Sequence, residues 1–300
     1  MHRRDFMGIV AAGGGVVFSS ALAGCALAKP DKADPHSSGQ QDFYFVQLSD
    51  THWGYQGAAN PDATVTLKKA VKAVNALATP PDFIVFTGDL THTTDDPQER
   101  RRRMKEFKAI VADLQVQNIR FLPGEHDASL DHGAAFTELF GDTHFTFDHK
   151  GVHFIALDNV SDPGARLGEA QLAWLASDLQ QQALDQPIVV LTHRPLFDLV
   201  PKWDWATRDG QHAVSLLSSH RHVTVFYGHI HQEHHHMTGH IAHHSAKSLI
   251  FPLPAPGSQD KRTPLPWDPA QPYKGLGYRE VLTRTSEQAF QLTEHPVEKA

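Results

Sequence analysis

The chain of 300 residues holds a single cysteine, Cys25. One cysteine excludes an internal disulfide and any metal site built from several thiolates. Concentrated positive charge is also scarce. The net charge is −7, and Arg100 to Arg103 is the only dense basic run. A chain without a basic face is a poor general nucleic-acid binder. That run follows Asp95, Asp96 and Glu99 in a helical stretch, so it reads as a solvated helix face. No internal repeat is visible. What is abundant is histidine, with 22 residues. Neutral imidazole is the commonest metal ligand, which points to a metal site without placing it. Length and a 40% hydrophobic composition are those of a globular enzyme with one large core or two modest domains.

Residues 1–28 read as an address rather than as part of the fold. Arg3-Arg4-Asp5-Phe6-Met7 resembles a twin-arginine export signal. The apolar run from Gly8 to Leu27 is long enough to span a bilayer, but Gly13-Gly14-Gly15 makes it a poor permanent anchor. Leu22-Ala23-Gly24-Cys25 looks like a lipobox, which predicts a lipidated Cys25 holding the protein to a membrane in the periplasm. The alternative is cleavage after Ala28 and a soluble periplasmic product. Residues 29–41 are polar and proline-containing, as in a flexible tether. Residues 42–300 then form one domain.

Within that domain short apolar strands alternate with helical segments. Strands are expected at 43–48, 82–87, 119–122, 188–191 and 223–227, and helices at 62–78, 97–116, 168–184 and 209–220. Residues 145–147 and 152–157 flank His149-Lys150-Gly151 as a hairpin. Beyond Gly228 the helical signals stop. Residues 234–237 and 240–244 read as paired strands, 252–272 as a proline-rich ordered loop, and 277–283 and 289–293 as late strands. The pattern is α/β, with two sheets flanked by helices.

Metal-ligand residue types gather where these strands end. Asp50-Thr51-His52 follows the first strand and Gly88-Asp89 the second, and Gly124-Glu125-His126-Asp127 follows the third. Thr192-His193 follows the strand at 188–191, and Gly228-His229-Ile230-His231 the strand at 223–227. Carboxyl ends of strands in an α/β sheet form the crevice where loops converge. Five strands each delivering a carboxylate or imidazole there point to one site.

This series resembles the calcineurin-like metallophosphoesterase family, over roughly residues 43–250. Residues 168–175 are similar to the helix such enzymes place before the His193 strand. The resemblance implies a four-layer α/β/β/α sandwich with two divalent or trivalent metal ions, Fe, Mn or Zn. It implies that Asp50, His52, Asp89 and His231 hold one metal, and that Asp89, Glu125, His193 and His229 hold the other, with Asp89 bridging. Two metals would clamp the attacking and leaving oxygens of a phosphoryl group, with a bridging hydroxide as nucleophile. His126 and Asp127 are the implied catalytic pair: Asp127 would orient His126, which would stabilise phosphate charge or protonate the leaving oxygen. The implied substrate is a phosphate mono- or diester of a small molecule, lipid or nucleotide. The membrane is touched only through the leader or lipid anchor.

One position departs from the family pattern: Glu125 stands where Asn is usual. Ionised Glu has no donor for a phosphate oxygen and adds negative charge. Three outcomes stay open: an ordinary ligand in a working enzyme, a retuned metal or substrate preference, or a capped site that binds metal without turnover. The last makes a metal-handling protein the alternative function. His234, His235, His236, His240, His243 and His244 form a histidine-rich hairpin next to the site. They read either as a polar wall of the pocket or as an auxiliary metal-capture surface. Ser245 and Lys247 fall close by, and Lys247 is a candidate phosphate contact. Trp53, Phe197, Trp203, Trp205 and Trp267 lie in loops that could shape the pocket.

Overall fold

The computed structural model describes residues 10–12, 15–18, 41–284 and 287–297. Strand β3 (Phe43–Leu48) leads into α1 (Ala63–Asn75), β4 (Phe83–Thr87), α2 (Pro97–Val111) and β5 (Ile119–Leu122). Two short helices follow, α3 (Glu125–Ala128) and α4 (Ala134–Phe140), then the hairpin β6 (Phe145–His149) and β7 (Val152–Ala156). Next come α5 (Gly168–Leu179), β8 (Ile188–Leu191), α6 (Gly210–Leu217) and β9 (Val223–Tyr227). The hairpin β10 (His234–Thr238) and β11 (Ile241–Ser245) precedes the late strands β12 (Gly277–Arg284) and β13 (Glu287–Pro296).

The strands form two mixed sheets. In the first, β3, β4 and β5 are parallel and β12 pairs antiparallel with both β3 and β13. In the second, β7, β8, β9 and β11 are parallel, with β6 and β10 antiparallel at the edges. Period-two alternation sorts the side chains into layers. Phe45, Phe83, Val85, Val189 and Leu191 meet between the sheets. Val46, Leu48, Ile84 and Phe86 turn the other way to pack on α1 and α2 residues such as Leu67, Val71 and Phe107. Ile188, Val190 and Val225 do the same against Leu172, Leu175 and Leu217 of α5 and α6. The result is the expected α/β/β/α order.

Helices stop earlier than periodicity suggests. α1 ends at Asn75 ahead of Pro80-Pro81, and α2 ends at Val111. Asn75 explains the second stop: its Nδ2 donates to the Asp113 carbonyl and its Oδ1 accepts from Gln115 N–H. Those bonds supply the backbone beyond α2 with partners other than a continued helix. α5 ends at Leu179 and α6 at Leu217, each a few residues short of expectation.

β1 (Val10–Ala12) and β2 (Gly15–Phe18) form a hairpin whose second strand pairs with β13. An open strand edge offers unpaired N–H and C=O groups to any apolar extended segment. Cys25 and residues 29–40 of the tether lie outside the described residues. Among the described residues, no helix is long and apolar enough to cross a membrane.

Candidate metal centre

The loops after β3, β4, β5, β8 and β9 converge at one end of both sheets, and they are tied to each other rather than merely adjacent. Asp50 N–H donates to Gly88 O (3.1 Å), His52 N–H to Asp89 O (2.9 Å) and Gly228 N–H to His193 O (3.0 Å). Among the described residues, nine non-glycine positions have positive φ, and five of them are Asp50, His52, Asp89, His229 and His231. A left-handed backbone costs an L-residue on the order of 1–3 kcal/mol, so it persists only where surrounding contacts impose it. Here it occurs at the residues whose side chains meet. Two glycines make the approach possible. Gly88 has φ +96°, and a Cβ there would lie 2.3 Å from His193 Nδ1; a Cβ on Gly124 would lie 2.1 Å from the Asp89 amide nitrogen.

Seven side chains anticipated from the strand-end motifs are brought together in two groups. Asp50, His52 and His231 offer ligand atoms within 4.8 Å of one another, and Asp89, Glu125, His193 and His229 do the same. Asp89 stands between the groups: its Oδ2 is 3.4 Å from His52 Nε2 and 3.4 Å from His193 Nε2. Its Oδ1 is held by the backbone N–H of His126 at 2.9 Å. Asp50 is fully buried, faces His231 Nε2 at 3.3 Å and accepts from the His229 N–H. Glu125 spans the second group, with Oε2 2.9 Å from His193 Nε2 and Oε1 2.9 Å from His229 Nδ1.

The donor set fits a pair of cations. His193 Nδ1–H donates to Thr87 O at 2.7 Å and His231 Nδ1–H to Phe251 O at 2.8 Å. In the neutral rings this leaves each Nε2 as a lone pair aimed at the carboxylates, the arrangement by which a carbonyl orients a metal-ligating imidazole. His193 Nε2 and Glu125 Oε2 are buried and have no aligned hydrogen-bond partner, although they approach closely. They converge on a common point instead of bonding to each other. Electrostatics agree. Burial opposes a charged His193, yet the Asp89 and Glu125 carboxylates outweigh it and hold the ring well above its ordinary value. Burial likewise opposes an ionised Glu125, and the facing His229 and His193 rings overcome it and hold the carboxyl well below its ordinary value. The carboxylates thus favour positive charge at His193, whereas burial pushes His229 down to about 4 and His52 well below its ordinary value.

His126 and Asp127 are arranged otherwise than expected. Asp127 does not orient His126. Its carboxylate accepts from Leu90 N–H (2.9 Å), Thr91 N–H (2.8 Å), Thr91 Oγ1 (2.8 Å) and Gly124 N–H (3.0 Å). With every acceptor direction used by the two ligand-bearing loops, Asp127 is a buried clamp between them. The partner of His126 is the Thr93 N–H, which donates to Nδ1 at 3.2 Å. That bond places the proton of the neutral ring on Nε2.

His92 was not anticipated. Its Nδ1 lies 3.3 Å from His52 Nδ1 and its ring stacks on His126 at 4.9 Å. Burial pushes it down to about 4, with the charges of His126 and Arg103 adding to the effect, so it is neutral at pH 7. His52, His92 and His126 form a third group of converging ligand atoms. The available signal was a histidine three residues past Asp89. Phe251, whose ring centroid is 4.9 Å from His231, and Tyr55 complete the wall.

Several other expectations resolve against the site. Among the described residues, none of the converging groups includes a histidine of the β10–β11 hairpin. His235 pairs with His244, His234 with the Tyr227 hydroxyl, and His236 stacks on Phe197 at 3.9 Å. Lys247 faces Glu233 at 3.7 Å and Ser245 donates to Gln232 O, so neither reaches the centre. Trp203 and Trp205 are buried against each other, and Trp53 donates to Glu106. The Arg100 to Arg103 run is not simply solvated: Arg100 is buried on Asp131, and Arg103 donates to the carbonyls of His92 and Thr93.

Comparison with known proteins places this geometry. A serine/threonine-protein phosphatase, CPPED1 of Danio rerio, is 31% identical over 182 residues, covering 53% of this chain and 59% of that protein. A probable cyclic nucleotide phosphodiesterase of Rhodococcus erythropolis is 35% identical over 167 residues, covering 51% of this chain and 52% of that protein. The chain thus spans somewhat more than half the length of these curated relatives. The crystal structure of a dimetal phosphatase from Danio rerio shares the fold, with a TM-score of 0.56 at 15% identity over 84% of this chain and 98% of that one. The model of the calcineurin-like phosphoesterases matches residues 43–233, from β3 to just past His231. By that match, which covers well over half its length, the chain belongs to the calcineurin-like phosphoesterase family.

Proposed function

We propose that the protein hydrolyses a phosphate mono- or diester at a binuclear metal centre, with Asp50, His52, Asp89 and His231 holding one ion and Asp89, Glu125, His193 and His229 the other. The observation that carries this reading is Asp89 Oδ2, equally distant from the Nε2 atoms of His52 and His193. A single carboxylate oxygen facing one imidazole of each group is what a shared ligand requires. Bound ions would polarise the phosphoryl oxygens and acidify water. Nitrogen and oxygen donors without thiolate suit Fe, Mn or Zn. His126, protonated at Nε2 by the bond that Thr93 makes to Nδ1, is placed to donate to a phosphate oxygen or the leaving group. The names of the relatives, a protein phosphatase and a cyclic nucleotide phosphodiesterase, support a phosphate ester as the substrate class.

The test is metal analysis of the protein with hydrolysis of an aryl phosphate mono- and diester panel after Mn²⁺ or Zn²⁺ loading. Turnover abolished by Asp89→Asn supports the reading. Tight metal uptake with no hydrolysis of any ester by the wild type defeats it in favour of a metal-handling protein. That second reading draws on Glu125, whose carboxylate adds negative charge between His193 and His229 where a phosphate must approach. Glu125→Asn separates the two: a large gain in turnover would show that Glu125 restrains a latent enzyme.

The leader reading stands as part of this proposal. Residues 1–28 direct export by the twin-arginine route, and Cys25 carries the lipid that holds the enzyme in the periplasm. Metabolic labelling with a fatty acid, compared between wild type and Cys25→Ser, decides it. Unlabelled wild-type protein would leave the soluble periplasmic product.

A further inference from the structure

The proline-rich loop brings one basic side chain to the metal centre. Seven prolines fall between residues 252 and 272, which restricts the conformations open to that stretch. Hydrogen bonds to its carbonyls pin it on both sides of its tip. His231 Nδ1–H donates to Phe251 O, Gln232 Nε2 to Pro254 O (3.0 Å) and Leu265 N–H to Pro252 O (3.0 Å). Trp203, itself buried, donates from Nε1 to Asp260 O at 3.3 Å. Two residues on, the Arg262 guanidinium lies 3.5 Å from His229 Nε2.

The contact between Arg262 and His229 is unusual in its chemistry. His229 turns Nδ1 to Glu125. On the binuclear reading, on which this inference rests, Nδ1 is the ligand atom, so Nε2 carries the proton. A guanidinium and an imidazole N–H are both donors and cannot bond to each other. Among the described residues, Arg262 has no carboxylate within ion-pair reach. Two donors that face one space without an acceptor form a seat for an anion. Charge arithmetic points the same way. Two divalent ions set against the carboxylates of Asp50, Asp89 and Glu125 leave one formal positive charge. That is little attraction for a dianion, and an arginine at the rim supplies a second.

We propose that Arg262, with the His229 Nε2–H beside it, binds a terminal phosphate oxygen of the substrate and gives the centre a preference for phosphate monoesters over diesters. A monoester has three terminal oxygens and two negative charges. If the bound ions took two of those oxygens, the third would remain for Arg262. A diester has only two terminal oxygens and one charge, so Arg262 has nothing comparable to hold.

The experiment uses the metal-loaded full chain, with 4-nitrophenyl phosphate, bis(4-nitrophenyl) phosphate and calorimetric titration of inorganic phosphate. In Arg262→Ala, kcat/KM for the monoester should fall roughly 10- to 100-fold, the loss expected for one charge-assisted hydrogen bond. The diester should change by less than about threefold, and phosphate affinity should fall in parallel with the monoester. Arg262→Lys should keep part of both. Equal losses for the two esters, or unchanged phosphate affinity, would overturn the proposal. If the wild type hydrolyses neither ester, the phosphoesterase reading fails on its own, and the phosphate titration of wild type against Arg262→Ala still decides whether this arginine seats an anion.

Discussion

Replacing Asp127 by Asn keeps the size of the side chain but turns one of its two acceptor oxygens into a donor. Oδ1 accepts from Thr91 N–H and Thr91 Oγ1, and Oδ2 from Leu90 N–H and Gly124 N–H. Whichever way the amide turns, its NH₂ meets at least one buried backbone N–H. A hydroxyl can rotate to accept, so the smallest loss arises when the NH₂ faces Thr91, leaving the Thr91 N–H unpaired. An orphaned buried donor costs about 1–3 kcal/mol, and loss of the charge on the remaining bonds adds to it. We therefore expect a destabilisation of about 2–4 kcal/mol, which for a domain of this size lowers Tm by roughly 5–15 °C. Because the broken bonds join the loop of Asp89 to the loop of Glu125, metal affinity should fall about 10- to 100-fold, the usual effect of removing a group that orients ligands. Thermal unfolding and competitive metal titration measure the two quantities. A variant with unchanged Tm and metal affinity but lost turnover would refute this account and restore Asp127 to a catalytic role through His126.

Gly124→Ala should destroy metal loading outright, since its Cβ would sit 2.1 Å from the Asp89 amide nitrogen and carboxylate; near-normal metal content in the purified variant would contradict the crowding argument. His243 is buried without a hydrogen-bond partner on either ring nitrogen, and burial, with the His236 charge adding, pushes it down to about 3. A base depressed in the folded state contributes stability that is complete above pH 6.5 and is lost as pH falls toward 3. His243→Phe should therefore lose about 2–3 kcal/mol less than wild type between pH 7 and pH 4.5 in urea unfolding, and parallel pH profiles would rule this out. Arg279 is buried, bonded to Glu294 and to the Ser245 carbonyl. Arg279→Met alone should cost about 3–5 kcal/mol by stranding Glu294, whereas Arg279→Met with Glu294→Leu should recover most of it; equal losses would mean the cost is packing rather than charge.

The layers and the ligand cluster were legible in the sequence for a local reason. Strands such as Phe83–Thr87 and Ile188–Leu191 are buried on both faces, so their almost wholly apolar composition announces them. The ligands follow within a few residues, in motifs where chemistry dictates residue type. Helix ends were less legible because distant partners set them. Asn75 ends α2 from another helix, and nothing near Val111 in the chain signals it. The role of Asp127 is hidden for the same reason: adjacency to His126 suggests a pair, while its bonds run to Leu90 and Thr91, some 36 residues away.

The least legible part of the centre is the shell that orients it. His193 is oriented by the Thr87 carbonyl, His231 by the Phe251 carbonyl and His126 by the Thr93 amide. Every residue has a carbonyl and nearly every residue an amide, so these partners leave no mark in residue type. The left-handed backbone is equally silent at Asp50, His52, His229 and His231, since only glycine makes such a conformation visible in a sequence. Both Asp50-x-His52 and His229-x-His231 carry positive φ at their first and third residues. The motif spacing therefore records a backbone shape as well as a pair of ligands. The strain of that shape is held by bonds between loops, His52 N–H to Asp89 O and Gly228 N–H to His193 O among them. The ligands can be read from the chain one strand at a time. Their arrangement exists only when all five loops are in register, which explains why a clamp such as Asp127 governs the centre without touching it.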